Sequence, residues 1–545
     1  MQVLKSLLLG SAVGFVAFNA AQAADLPSRK AEPVQYVKIC SAYGEGFFFI
    51  PGADTCLRIG GYVRAEYSYA SPQSIVTIPS YPKYTGAGFA AGKIANASVA
   101  NAQLVPSGAE DLTGMQMRGR IQLDARSNTA MGTLRTYVVA RAMLGSGLYG
   151  DNYTTGLYVG QAGATSVTLE QAIVQYAGFT FGRTTSEVFA FMPGINWAAQ
   201  SKTGYDGAIN LLSYTATFGG GFSGTIGLED RSGMSSASHP AYNAFNFYNY
   251  NGLVAGTPLQ APAGSFNSVV NTAAFVNGPT TWPGLAANLR LDQSWGSIQI
   301  MGDVIQNSAS SVFTPGSAGG SNNITLTQTG WAVGAGVKIN LPMLAAGDVL
   351  YAQISYADGD LDELASQNTS AVTSAFGREL GGLMRFDRNL YVSPGVGMAN
   401  CTATTLNSGC FKTEQTTGWA VAASFVHYWT PTVRQEFFGS YMSLTPGHVT
   451  RDTDWTLGGL SSASLYRLAT HVIWSPVKNF DLGPEIAYVH LDQKLAHAPG
   501  YAATCQPGTQ LATNTAVIPA GCNGIGNIKP SSGVIETRLR VTRQF

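Results

Sequence analysis

The chain has 545 residues with 31 basic and 31 acidic side chains, so its formal net charge at neutral pH is zero. Only 11% of the residues are charged, whereas an average soluble domain has about 25%. This balance argues against a nucleic-acid-binding protein. The hydrophobic fraction of 45% argues against a disordered chain.

The N-terminus has the three parts of a secretory signal peptide. Lys5 supplies the positive charge, residues 7–18 are almost all apolar, and Ala21-Gln22-Ala23 matches the small-residue cleavage site. We expect residues 1–23 to be removed on export and residues 24–57 to form a periplasmic lead-in. No later apolar run reaches the ~18 residues of a transmembrane helix.

Residues 115–126 show the alternation that recurs along the chain. They read MQMRGRIQLDAR, with apolar residues or glycine at odd positions and polar or charged residues at even positions. Successive side chains of a strand point to opposite faces, so this segment has one apolar and one charged face. The segments 285–294 and 297–306 repeat the pattern.

Sixteen segments have strand signals, and they define a predicted barrel domain over residues 58–545. The predicted strands are 58–69, 114–126, 131–143, 168–177, 179–183, 208–218, 222–230, 285–294, 297–306, 330–340, 348–357, 417–428, 432–443, 463–474, 480–491 and 533–545. Long and short connections alternate, so all short turns lie at one end of the barrel and all long loops at the other. Outer-membrane barrels have this asymmetry, with the long loops outside the cell.

We therefore predict an all-β, antiparallel, up-and-down transmembrane barrel of about sixteen strands, with eighteen as the alternative. A barrel of this width leaves room for water in its interior. The pattern thus predicts a pore.

The six cysteines fall into three pairs that are close in sequence. In an exported protein this spacing predicts local disulfides that close loops. The predicted pairs are Cys40–Cys56, Cys401–Cys410 and Cys505–Cys522.

Three segments resemble the porin family of alphaproteobacteria. They are VKICSAYGEGFFFIPGADTCLRIGGYVRAEY at 37–67, AGFTFGR at 177–183 and the terminal RVTRQF ending at Phe545. The resemblance implies a homotrimer in the outer membrane of a Gram-negative bacterium, in contact with lipid and lipopolysaccharide. It also implies passive diffusion of small hydrophilic solutes and ions, through a pore that the third long loop narrows by folding inward. It implies no enzyme activity, cofactor or nucleic acid.

Basic residues dominate the predicted inward faces of the first five strands. In similar porins such residues face acids of the inward loop across a constriction, and here that loop is 184–207. The candidate constriction residues are Arg64, Arg118, Arg120, Arg135, Arg141, Arg183, Glu187 and Asp206. The wall is more basic than the loop is acidic, so we expect a weakly anion-preferring pore.

A metal site is not expected. Asp358, Asp360 and Asp362 have the spacing of a calcium loop, but Glu363 and Thr369 stand where such a loop needs glycine and glutamate. We expect a solvated acidic loop here instead.

Two other functions are compatible with the sequence. A substrate-specific channel would show an aromatic track and saturable flux. An adhesin or hydrolase built on a barrel would show no solute-dependent conductance.

Overall fold

The computed structural model describes residues 38–50, 52–71, 112–149, 164–186, 188–192, 203–205, 207–230, 273–313, 324–364, 390–394, 408, 411–447, 460–495 and 531–545. Sixteen strands form one closed antiparallel sheet, which confirms the predicted barrel. In chain order they are β1 (Cys56–Ala70), β2 (Thr113–Thr129), β3 (Gly132–Gly147), β4 (Ala164–Tyr176), β5 (Phe179–Thr185), β6 (Ala208–Gly219), β7 (Phe222–Asp230), β8 (Gly284–Gln293), β9 (Gly296–Phe313), β10 (Thr325–Asn340), β11 (Val349–Asp358), β12 (Thr417–Thr430), β13 (Val433–Thr445), β14 (Leu460–Val477), β15 (Phe480–Leu495) and β16 (Ser531–Gln544).

Each strand pairs with its neighbours in sequence, and β16 also pairs with β1, which closes the barrel. The 18-stranded sheet includes two further short strands, Phe48–Phe49 and Ala273–Asn277. Phe48–Phe49 pairs with one end of β1, and Ala273–Asn277 pairs with one end of β9. Outside this sheet, Leu390–Pro394 and Phe411–Gln415 form a separate hairpin. No helix within the described ranges is long and apolar enough to cross a membrane.

The alternation in β2 separates the two faces of the barrel. Met115 and Ile121 face outward and are 49% and 56% exposed. Asp124, from the even positions, faces inward and is buried. Apolar side chains outside and charged side chains inside are what a barrel in a lipid bilayer requires.

Several strands extend further towards the long loops than the sequence predicts. β9 reaches Phe313, and its last residues pair with Ala273–Asn277 and with the start of β10. Ser308 and Ser310 in this extension are polar at even positions, whereas the even positions within 298–304 are apolar or glycine. Because the alternation ends here, it predicts too early an end for the strand.

The lead-in is fixed to the start of the barrel. Cys40 and Cys56 form a disulfide, which confirms the first predicted pair. Phe47 packs beside them, and its ring lies 5.2 Å from the guanidinium of Arg58 and 5.0 Å from that of Arg126. The signal peptide, Cys401–Cys410 and Cys505–Cys522 lie outside the described residues and stay predictions.

The C-terminus is held by backbone hydrogen bonds. The amides of Phe545 and Gly61 each donate to the other's carbonyl at 3.1 Å. Arg543 pairs with Val63 in the outward row, and its guanidinium donates to the Lys478 carbonyl at 2.6 Å. This charged group therefore reaches the short-turn rim, where it meets water.

A buried ion pair joins the two strands that close the barrel. Glu66 on β1 and Arg540 on β16 are direct partners, with Oε2 and Nε 2.6 Å apart. Replacing Glu66 by alanine leaves Arg540 buried without this carboxylate, so we expect the free energy of unfolding to fall by about 3 kcal/mol. Urea titration of the protein in lipid vesicles measures it.

Glu170→Ala is the control. Glu170 accepts hydrogen bonds from the partly exposed Arg120 and Arg141, so this substitution should lower the free energy of unfolding by less than about 1 kcal/mol. Equal losses in the two variants would contradict the role assigned to the buried pair.

Candidate functional site in the barrel lumen

The third long loop leaves the wall after β5 and crosses the interior of the barrel. The carbonyl of Val188 accepts hydrogen bonds from Asn288 Nδ2 on β8 and Gln299 Nε2 on β9, both at 3.0 Å. Four residues further on, the Met192 amide donates to Gln353 Oε1 on β11 at 3.0 Å. The loop therefore contacts β11, which is six strands away from β5, where the loop begins. This confirms the predicted inward fold.

Apolar side chains of the loop cover the walls that it reaches. Phe191 lies against Gly336 on β10, where any Cβ atom would collide with its ring. Met192 is buried in a cluster with residues from β12 to β15, namely Ala422, Phe438, Ala469 and Ala487. Where Phe191 and Met192 meet the wall, its inward positions are small or apolar, and this part of the lumen is filled.

A second segment folds inward beside the loop. The 3-10 helix Leu361–Leu364 follows β11, and Glu363 accepts from the amides of Gly204 and Tyr205 at 3.0 Å and 2.9 Å. Asp360, Asp362 and Glu363 are fully buried. The prediction of a solvated acidic loop is therefore wrong, since these carboxylates are buried and that of Glu363 binds the third loop through the Tyr205 amide.

Three of these inward acids lie close together. One carboxylate oxygen from each of Asp303, Asp360 and Glu363 lies within 4.8 Å of the other two. Oxygen ligands of this kind suit a hard cation such as calcium or magnesium. The same acids also bond within the protein, as Asp303 does with the Ala332 amide at 3.1 Å.

The opposite wall carries the predicted basic residues. Five of the six arginines lie on the inward rows of β1, β2 and β3: Arg64, Arg118, Arg120, Arg135 and Arg141. They form cross-strand partners, with Arg64 opposite Arg118, Arg120 opposite Arg141, and Arg126 opposite Arg135. Like charges directly opposite each other are unfavourable unless an anion lies between them.

Two of these arginine pairs have such an anion within the wall. Asp124 accepts from Arg126 at 2.8 Å and from Arg135 at 3.0 Å. Glu170 accepts from Arg120 at 2.9 Å and from Arg141 at 3.4 Å. Glu170 is an extra residue at a bulge between β3 and β4, which aims its side chain into the lumen.

Arg183 does not belong to this wall, so that prediction is wrong. It pairs with Ala172 on β4 and Asn210 on β6, in the outward row that contains Phe181. The short β5 begins directly after the tight turn at Gly178. From Phe179 onward its odd-numbered side chains point outward, and Arg183 is one of them. Glu187 and Asp206 lie outside the described residues, so their place at the constriction stays a prediction.

The sequence reasoning missed a charged cluster on β13 to β16. His471 lies between Glu436 and Glu485, 3.0 Å and 3.3 Å away, and all three are buried. The alternation in β16 could have revealed Arg538 and Arg540. It could not have revealed Arg467 or His471, because leucine, alanine and isoleucine share their inward row on β14.

Comparison with known proteins gives the family. A family model described as the porin subfamily matches residues 25–518. The chain belongs to this porin subfamily.

Two curated porins from Brucella are similar to part of the chain. Porin Omp2b of Brucella canis is 29% identical over 351 residues, covering 63% of this chain and 82% of Omp2b. Porin Omp2a of Brucella suis is 33% identical over 238 residues, covering 42% of this chain and 56% of Omp2a. Among solved structures, the outer membrane channel DcaP of Acinetobacter baumannii aligns with a TM-score of 0.48 and 14% identity, covering 91% of this chain and 99% of DcaP.

The predicted family, location and function are therefore confirmed. This porin lies in the outer membrane of a Gram-negative bacterium and provides a channel for passive diffusion. Porins are channels and not a class of enzyme.

The hydrogen bonds to Val188 should limit the movement of the third loop. In the double variant Asn288→Ala and Gln299→Ala, the Val188 carbonyl loses two hydrogen bonds, each worth about 1 kcal/mol. We expect a higher mean single-channel conductance and more frequent current fluctuations in planar bilayers.

Asn340→Ala is the control, because it removes a 3.0 Å bond of the same kind, to Ser294 at a short turn. A double variant that conducts like this control would show that these bonds do not hold the loop.

Proposed function

We propose that this porin is a general diffusion channel with a weak preference for anions. The aperture runs between the third loop and the basic wall of β1 to β3. The observation that carries the proposal is that the loop covers one side of the lumen and leaves the arginines of the other side in contact with water.

The accessible charges on this path are mainly positive. Arg120 and Arg141 are 22% and 24% exposed, and Arg64 and Arg118 are also half-buried. Glu170 is the matching acid at 28% exposure. Arg126 and Arg135 are each 27% exposed, so a solute passing this wall meets six guanidinium groups and one accessible carboxylate.

The acids on the covered side have much less influence on a solute. Glu363, Glu436 and Glu485 are buried and have basic or amide partners. Charges of one sign along a narrow channel focus the field and bias which ions enter. The net bias is therefore towards anions, and it is weak because Glu170 and Asp124 offset part of the positive charge.

The inward aromatic rings favour general over substrate-specific diffusion. Tyr62 stacks with the guanidinium groups of Arg64 and Arg120, at 4.9 Å and 5.8 Å, and Tyr137 stacks with Arg135 at 4.6 Å. Rings engaged in this way offer a passing sugar little free surface. Bilayer recordings with sugars distinguish the two, since a specific channel would show saturable flux.

The ion preference can be measured directly. In a KCl gradient we expect the reversal potential of the wild type to indicate a weak anion preference, and Arg118→Ala with Arg120→Ala to remove it. The preference should fade near 1 M salt, where the Debye length is about 3 Å. Reversal potentials at both salt concentrations test this.

Arg434→Ala is the control, because Arg434 is an inward arginine at the short-turn end that is already paired with Asp481 at 3.1 Å. The proposal is rejected if the wild type prefers cations, or if the double variant has the same reversal potential as this control.

We also propose that three copies assemble into a trimer in lipid and lipopolysaccharide. The family supports this, and so does the outward apolar face, with exposed Ile59, Val63 and Phe181. We expect heat-modifiable trimers that resist SDS. Cross-linking and native mass spectrometry in mild detergent measure the assembly, and a monomer alone would rule it out.

A further inference from the structure

Among the three cross-strand arginine pairs on β1 to β3, only Arg64 and Arg118 lack a bridging carboxylate. Both are half-buried and face the lumen as direct partners on β1 and β2. Within the described residues neither forms an ion pair, and the buried Nε atom of each has no acceptor. The other two pairs hold Asp124 and Glu170 between them.

The acids nearest to this pair are occupied elsewhere. Glu66 follows Arg64 on the inward row of β1, but it binds Arg540 at 2.6 Å and accepts from the Tyr149 hydroxyl at 2.9 Å. On its other side Arg64 is paired with Thr542, which is neutral. The positive charge of the pair is therefore not neutralised locally.

The two guanidinium groups are nevertheless held in place. Arg64 stacks on the Tyr62 ring at 4.9 Å, and Arg118 Nη2 donates to Gln116 Oε1 at 3.0 Å. Gln116 stands two residues before Arg118, as Asp124 stands two residues before Arg126. The site of Arg64 and Arg118 therefore has the same plan as that of Arg126 and Arg135, with a neutral amide at Gln116 in place of the carboxylate of Asp124.

We propose that Arg64 and Arg118 form a binding site for an oxyanion group of a permeating solute, which takes the place of the missing carboxylate. This inference rests on the proposed function, because a solute reaches the site only if the path along the basic wall is open. A carboxylate or phosphate presents two or more acceptor oxygens, which match the donor forks of arginine in a way that a spherical halide does not. A bound oxyanion also relieves the repulsion between the two arginines.

The site is tested by block of chloride current through the porin in planar bilayers. Acetate and inorganic phosphate are the probes, and bromide at equal ionic strength is the spherical reference. We expect one or both oxyanions to reduce the current saturably and bromide not to. Block by acetate identifies the group as a carboxylate, and block by phosphate alone identifies it as a phosphate.

Gln116→Glu supplies an internal carboxylate at this site without removing an arginine. We expect it to raise the half-blocking concentration of the oxyanion by about tenfold or more, because the site is then filled as in the other two pairs. The matched control is Gln122→Glu, on the same face of β2, which makes the same charge change away from the pair. It should shift the half-blocking concentration by less than about twofold.

Arg64→Lys with Arg118→Lys separates this inference from the proposed function. The variant keeps both positive charges but loses the donor forks, so oxyanion block should weaken by about tenfold while the reversal potential in KCl still indicates an anion preference. Heat-modifiable mobility on electrophoresis checks that each variant folds.

The inference is overturned if bromide blocks as acetate and phosphate do, if Gln116→Glu and Gln122→Glu act alike, or if the lysine variant retains the block. Failure of the anion preference itself would appear separately, in the wild-type reversal potential.

Discussion

The need to pair every backbone N–H and C=O group within the protein determines this structure. In hydrocarbon an unpaired group costs several kcal/mol, so a membrane-spanning sheet must close on itself. Closure here depends on β1 and β16, which meet through a continuous ladder of nine residue pairs, the buried pair of Glu66 and Arg540, and the bonds between Gly61 and Phe545. Once the ladder is closed, the alternation along each strand assigns every side chain to lipid or lumen.

Within the described residues, the third loop and the 3-10 helix beside it divide the lumen. Residues 188–192 are bound to β8, β9 and β11, and their apolar side chains fill the space against β10 and β12 to β15. In the part of the chain that the structure describes, the wall with the arginine pairs stays open. The proposed anion preference therefore depends on which wall the loop covers, as well as on the number of charges on each wall.

The sequence predicts those parts of the structure that depend on lipid contact. The alternation of residues 115–126 identifies both faces of β2, and recurrence of the pattern gives the strand count. It does not predict Arg467 or His471, because their row packs against the third loop and is mostly apolar. It misplaces Arg183, because the face of a seven-residue strand depends on where the preceding turn ends.

If the conducting path follows the basic wall and avoids the covered wall, cysteines on the two walls should differ in their access to a reagent in the pore. The test applies a negatively charged methanethiosulfonate reagent during bilayer recording of Gln122→Cys on β2 and of Ala422→Cys beneath Met192. We expect a rapid change in current for Gln122→Cys and none for Ala422→Cys. Equally fast modification at Ala422→Cys, or no modification at Gln122→Cys, would contradict it.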